Sequence, residues 1–251
     1  MTRSPFEKAT LALESLTDSC EMLSDYSAGM VRGDGYDAYL VPETFWYHRV
    51  RLHAELGEKL GETVQSIGQQ AKDGKLPRLL CYLESEYADE EIAPLLTEAG
   101  YIPFVVQQAM YMPLGERSAA AVPAQLEYVP LEEMDDWIAM IGTAFGKPSD
   151  PGLKMLHGND ACTFLQWRED GKVVAGMLLI CKDGNAGIHE VGTLAEYRGK
   201  GIASALLNHA LDLGAKQGCN CATLQASPLG EPVYKRLGMD IYSQVRNWML
   251  P

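Results

Sequence analysis

A chain of 251 residues is long enough for one large domain or two small ones. Its 47% hydrophobic and 22% charged residues describe an ordinary soluble globular composition, and no apolar run nears the ~18 residues of a membrane span. Residues 1–123 hold 10 basic and 19 acidic side chains and residues 124–251 hold 11 and 15, a net charge of −13 that argues against a nucleic-acid partner and favours cations, amines among them. The N-terminus, MTRSPFEKATLALESL, reads as an amphipathic helix; it lacks the long apolar core and cleavage site of a signal peptide. Further on, RLLCYLE is a strand, DEEIAPLLTEAG a helix closed by Gly100, and YIPFVVQQAMYMPL a strand. The small residues and proline of GERSAAAVPA mark 115–124 as a linker between an accessory domain, 1–114, and a second domain, 125–251.

After the linker, helix and strand signals alternate. LEYVPL is a short strand, and EEMDDWIAMIGTAFG a helix with Met134, Trp137, Ile138 and Ile141 on one stripe. A loop follows, KPSDPGLKMLHGND. The next two strands form a hairpin around Glu169-Asp170-Gly171. AGIHEVGTL is a strand, and EYRGKGIASALL opens a helix with Ala203, Leu206, Leu207, Ala210 and Leu211 on one face. CNCATLQA is a strand. GEPVYKRLG is a short helix that tolerates Pro232 in its first turn and stops at Gly238. The last strand is MDIYSQVRNWML. The two halves thus end alike: strand, glycine-closed helix, long strand. Gly100 and Gly238 are each followed by 13 residues up to a proline, Pro113 and Pro251, a modest sign of a duplicated unit.

Six cysteines without a Cys-x-x-Cys pair fit a reducing compartment, the cytoplasm, where a thiol is a small core filler. His157, His189 and His209 have no metal-ligand spacing, so no metal is expected.

The bend before the second-half helix carries the chemistry. A helix start presents unpartnered N–H groups and partial positive charge. Gly199 and Gly201 remove the Cβ atoms that would hold a ligand off the backbone, and Arg198 and Lys200 add full charges. Together these make a phosphate site. A P-loop fails, because Leu194 and Gly201 stand where it needs glycine and Ser or Thr. A dinucleotide fingerprint fails at Ser204 and in the missing acidic residue after the next strand.

Arg198-x-x-Gly201-x-Ala203 resembles the Gln/Arg-x-x-Gly-x-Gly/Ala signature of the GNAT superfamily of acyl-CoA-dependent N-acyltransferases. A second stretch, ASPLGEPVYKRLGM, resembles that family's strand-five exit and following helix. The resemblance covers about 125–251 and departs at Leu194-Ala195, where the family often has a variable residue and proline. It implies an α/β (α+β) fold, with a mixed, mostly antiparallel central sheet flanked by helices. The first half would be a smaller, degenerate relative or a cover, without the glycine-cation bend.

The resemblance also implies site residues. Arg198, Gly199, Lys200, Gly201, Ile202 and Ala203 would hold the pyrophosphate of acetyl-CoA, and Val191, Gly192 and Thr193 would line the pantetheine arm, Gly192 permitting a bulge. Ser227 would hold the arm or Tyr234, or else cap the next helix. Tyr234 is the candidate general acid and Glu190 the candidate base, with His189 its competitor; by alternation Glu190 faces away from Val191. Asp150, His157 and Asp160 of the loop could meet an ammonium group. The implied reaction is acetyl transfer from acetyl-CoA to a primary amine, a small molecule or a peptide, by direct attack in a ternary complex. A non-catalytic acyl-CoA-binding regulatory module is the alternative, and a homodimer stays open.

Overall fold

The structure is a computed structural model that describes residues 3–54, 56–115 and 122–251. Most of the expected linker, residues 116–121, lies outside the described residues. In chain order the elements are α1 (Pro5–Asp25), β1 (Met30–Gly33), β2 (Tyr36–Tyr39), β3 (Arg49–Leu52), α2 (Leu60–Lys72), β4 (Leu79–Leu83), α3 (Asp89–Ala99) and β5 (Ile102–Pro113). They continue with β6 (Leu126–Tyr128), α4 (Met134–Phe145), β7 (Cys162–Glu169), β8 (Lys172–Lys182), β9 (Asn185–Thr193), α5 (Ile202–Lys216), β10 (Cys221–Ala226), α6 (Glu231–Arg236) and β11 (Asp240–Met249). The fold is α/β, with a mostly antiparallel sheet flanked by helices. No helix among the described residues is long and apolar enough to cross a membrane.

Two compact units divide these elements. The first comprises Met1–Met110, Gln225–Pro228 and Ile241–Pro251, and the second Tyr111–Leu224 and Leu229–Asp240. Both halves of the chain run the same course. A helix precedes an antiparallel three-strand meander; then come a helix, a strand parallel to the last of the meander, a glycine-closed helix and a long strand. Gly100 (φ 98°) and Gly238 (φ 93°) close the corresponding helices in the left-handed region, as their places in the sequence require.

In the first unit, Ser4 and Glu7 start α1 with a reciprocal capping box, each side chain accepting from the other's backbone N–H. Helix α1 buries Ala9, Ala12, Leu13 and Leu16 against Cys81, Leu83, Ala109 and Val245. Helices α2 and α3 bury Val64, Ile67, Ile92 and Leu96 with Val50, Leu80 and Trp248. Strand β11 completes this unit, antiparallel to β4 with Val245 opposite Leu83 and Met249 opposite Leu79. The fully buried Arg49 helps anchor it, donating to Asn247 Oδ1 at 3.2 Å and to the Trp46 carbonyl. Tyr101 is 1% exposed, and its hydroxyl has no partner among the described residues. Replacing it with Phe removes a polar group that lost its water on burial, and Tyr101→Phe is expected to raise unfolding stability by about 1 kcal/mol, read as a higher urea midpoint at constant m-value.

In the second unit, β6, β7, β8 and β9 pair antiparallel in that order, and β10 adds parallel to β9. The β7–β8 turn is made by Asp170 (φ 47°) and Gly171 (φ 80°), the tight hairpin expected there. Helices α4 and α5 cover opposite faces of β8 and β9. A Cβ on Gly176 would lie 2.3 Å from Trp137 Nε1 of α4, and one on Gly214 of α5 would lie 2.8 Å from Ala186. Trp137 is fully buried and donates to the Leu165 carbonyl at 3.0 Å, which fixes α4 over the sheet.

Candidate active site

The parallel pairing of β9 and β10 is short. Asn185, Ala186 and Gly187 face Cys221, Ala222 and Thr223, and β9 then runs six residues further, to Thr193. The closed end is pinned by buried side chains: Asn185 Nδ2 donates to Thr223 Oγ1 at 2.8 Å, and the Thr223 hydroxyl donates back to Asn185 Oδ1 at 3.1 Å. The paired register of β9 and β10 ends at Gly187 and Thr223, and residues 188–193 extend past it.

This extension carries a β-bulge. Gly176 faces Gly192 and Leu178 faces His189, so Met177 alone opposes Glu190 and Val191. Glu190 takes the positive φ of 52° that the bulge needs. The bulge therefore sits on Glu190, not on Gly192. Gly192 is small for another reason: a Cβ there would come 3.0 Å from the Ala144 Cβ and 3.1 Å from Ile141 Cδ1, where α4 presses on the strand. The bulge also breaks the alternation that set Glu190 opposite Val191; both are half-buried. His189 is 6% exposed, and burial lowers its pKa to about 4, so its ring is neutral at pH 7.

Beyond Thr193 the chain makes a 3₁₀ turn, Ala195–Tyr197, and enters the bend. Gly199 (φ 76°) and Gly201 (φ 83°) are both left-handed, and nothing lies within 4 Å of where their Cβ atoms would be. No side chain caps α5. Among the described residues no acceptor engages the N–H groups of Gly199, Lys200, Gly201, Ile202, Ala203 or Ser204. A run of free donors at a helix head is what a diphosphate requires. Lys200 extends over the Tyr197 ring, Nζ 4.7 Å from its centroid. Arg198 is exposed but directs one edge of its guanidinium to the protein: Nε donates to the Thr193 carbonyl at 3.0 Å and Nη2 to the Ala144 carbonyl at 2.8 Å.

Tyr234 lies on α6, with its ring over the bare Cα of Gly230, where a Cβ would be 2.8 Å away. It is 8% exposed, and burial pushes its phenol well above the usual value of 10. No protein group among the described residues hydrogen-bonds its hydroxyl. Ser227 is exposed, just past the end of β10. It does not cap α6, whose N-cap is Gly230 with no side-chain cap bond. In the acceptor loop, His157 Nε2 is tied to the Val129 carbonyl at 2.9 Å and its ring stacks on Phe164, so this histidine has structural work. Asp150 is buried and Asp160 exposed.

The corresponding place in the first half is built shut. The Tyr87 hydroxyl donates to the His53 carbonyl at the end of β3, and Arg51 pairs with Glu86 at 2.5 Å. The turn before α2 is a 3₁₀ segment, Gly57–Lys59, flanked by right-handed Leu56 and Leu60; it holds one left-handed glycine, Gly57 (φ 53°), where the second half has two.

The family described as Acetyltransferase (GNAT) family has a model that matches residues 128–239. The chain carries a GNAT acetyltransferase domain. It is thereby an acyltransferase, and the GNAT family generally uses acetyl-CoA. No curated protein sequence matches the chain. Among solved structures, a GCN5-related N-acetyltransferase from Kribbella flavida is similar over 96% of this chain and 95% of that one, with TM-score 0.72 and 18% identity. One from Sphaerobacter thermophilus is similar over 99% and 93%, with TM-score 0.61 and 18% identity. The glucosamine N-acetyltransferase region of a fungal multi-domain GH3 beta-N-acetylglucosaminidase has TM-score 0.56 and 13% identity, over 88% of this chain and 30% of that one. These likenesses show that the GNAT-type fold extends over nearly the whole chain, first half included.

Proposed function

We propose that the GNAT domain transfers the acetyl group of acetyl-CoA to a primary amine by direct attack, with no covalent enzyme intermediate. The head of α5 carries this reading, with its six N–H groups lacking acceptors and its two open glycine positions. Acetyl-CoA, when bound, would supply the acetyl thioester. The bend residues 199–203 would hold its diphosphate, and Val191, Gly192 and Thr193 would offer backbone groups to its arm. A backbone N–H at the Glu190–Val191 bulge is suited to stabilise charge on a carbonyl oxygen. Glu190 accepts the amine's proton, directly or through water, and Tyr234 returns one to sulfur.

The cysteines favour direct transfer over an acyl-enzyme. Burial pushes the Cys162 and Cys181 thiols up to about 12, the opposite of an activated nucleophile. The six free cysteines also support a reducing, cytoplasmic setting. The acidic chain favours a cationic acceptor, a small amine or a peptide N-terminus. The test is release of free coenzyme A thiol from acetyl-CoA across a panel of polyamines, amino sugars and short peptides. At least one amine is expected to raise thiol release tenfold over acetyl-CoA alone. Tight coenzyme A binding with no release for any amine would instead favour a regulatory binding module.

A further inference from the structure

We propose that Arg198 is a positioning residue, which sets the bulged edge of β9 and the end of α4 against the phosphate bend, and that its charge is not a phosphate ligand. This rests on the acetyl-transfer reading above and assigns one of its residues a different task. The inner edge of the guanidinium is committed to two carbonyls from two elements, Thr193 at the end of β9 and Ala144 in the last turn of α4. The Ala144 carbonyl is one of the last four of its helix, which have no intrahelical partner, and a cation there also meets the negative end of the helix dipole. The rigid planar fork presents two N–H groups to the two carbonyls in fixed geometry; an ammonium is a compact charge on a flexible stem and does not hold them in that arrangement.

The same two elements meet again a few residues away. Gly192 lies against Ala144 and Ile141 so closely that a Cβ would stand 3.0 Å and 3.1 Å from them. Gly192 and Thr193 directly follow the bulge, so the fork acts two residues from the N–H groups that would face the thioester carbonyl. Farther along, Gly142 of α4 lets the chain fold back on the helix, since a Cβ there would lie 2.8 Å from Ser149 N and 2.9 Å from the Lys147 carbonyl. Arg198 therefore joins three parts that must keep register during transfer: the diphosphate cradle, the β9 edge, and the α4 end from which the 147–160 loop departs. Misplacement of about 1 Å at a reacting centre costs on the order of 10²-fold in rate.

The test compares wild type with Arg198→Lys and Arg198→Ala. It measures coenzyme A affinity by calorimetry at several salt concentrations, and kcat and KM for acetyl-CoA. A positioning role predicts that Arg198→Lys loses kcat about as badly as Arg198→Ala, tenfold or more, while both keep coenzyme A affinity within about threefold and an unchanged salt slope. A ligand role predicts the reverse: Lys, which keeps the charge, preserves function, and Ala loses affinity tenfold with a shallower salt slope. That result overturns the proposal, as does an unchanged kcat in Arg198→Lys. Should Arg198→Ala not fold, the lysine variant alone decides between the two. Wild-type protein that binds no coenzyme A would remove the acetyl-transfer reading itself, whereas wild-type binding with a ligand-type Arg198 removes only the clamp.

Discussion

Gly201→Glu is expected to weaken coenzyme A binding by at least 100-fold, measured by calorimetry, while the protein stays folded. Gly201 is the N-cap of α5 at φ 83°, a conformation that costs a residue with a Cβ about 1–2 kcal/mol. The new side chain meets no steric obstacle, since nothing lies within 4 Å of the Cβ position. Its carboxylate would sit at the positive end of the helix dipole, where an anion is stabilising by about 0.3–1 kcal/mol. That gain offsets part of the strain, so the variant's thermal midpoint should fall by only a few degrees. The feature that helps the fold also occupies the phosphate site, because the carboxylate takes the N–H groups a diphosphate would use and repels its charge. Gly201→Ala carries the strain without the charge and should lose about tenfold or less. Equal affinity in wild type and Gly201→Glu would show that the diphosphate does not bind at the head of α5.

The bend was legible in the sequence because all of its parts are local. Two glycines and two cations stand in four consecutive residues, directly between a strand and an amphipathic helix, and the backbone there follows from those residue types. The Asp170-Gly171 turn and the Gly238 stop were legible for the same reason. Features set by distant partners were not. The bulge was expected at glycine, the residue that tolerates a positive φ, but it falls on Glu190, while Gly192 is small because α4 presses on it. The partner of Arg198 at Ala144 is 54 residues away in sequence. Strands β1, β2 and β3, each of four residues, are too short to show a period, so the first half's meander went unread. The registration of β11 against β4, in the other half of the chain, has no local signature at all.

Tyr234→Phe is expected to lower kcat by about 10²-fold, at the modest end of what a positioned acid contributes, and to change KM for acetyl-CoA by no more than about threefold. Phenylalanine fills the same space over Gly230, and the lost hydroxyl has no protein partner among the described residues, so stability should hardly move. A fall in rate at constant stability and affinity therefore reports proton transfer rather than packing. The pH dependence separates this role further. Burial raises the phenol above its usual pKa of 10, which favours the neutral form, so the hydroxyl keeps its proton through pH 10. The ratio of wild-type to variant kcat should then stay flat from about pH 7 to pH 10, and any rising limb shared by both proteins reports deprotonation of the amine. A ratio that collapsed toward one near pH 10 would mean that the phenol ionises in the working range. An unaltered kcat would leave Tyr234 as packing for α6 and assign the sulfur's proton to water.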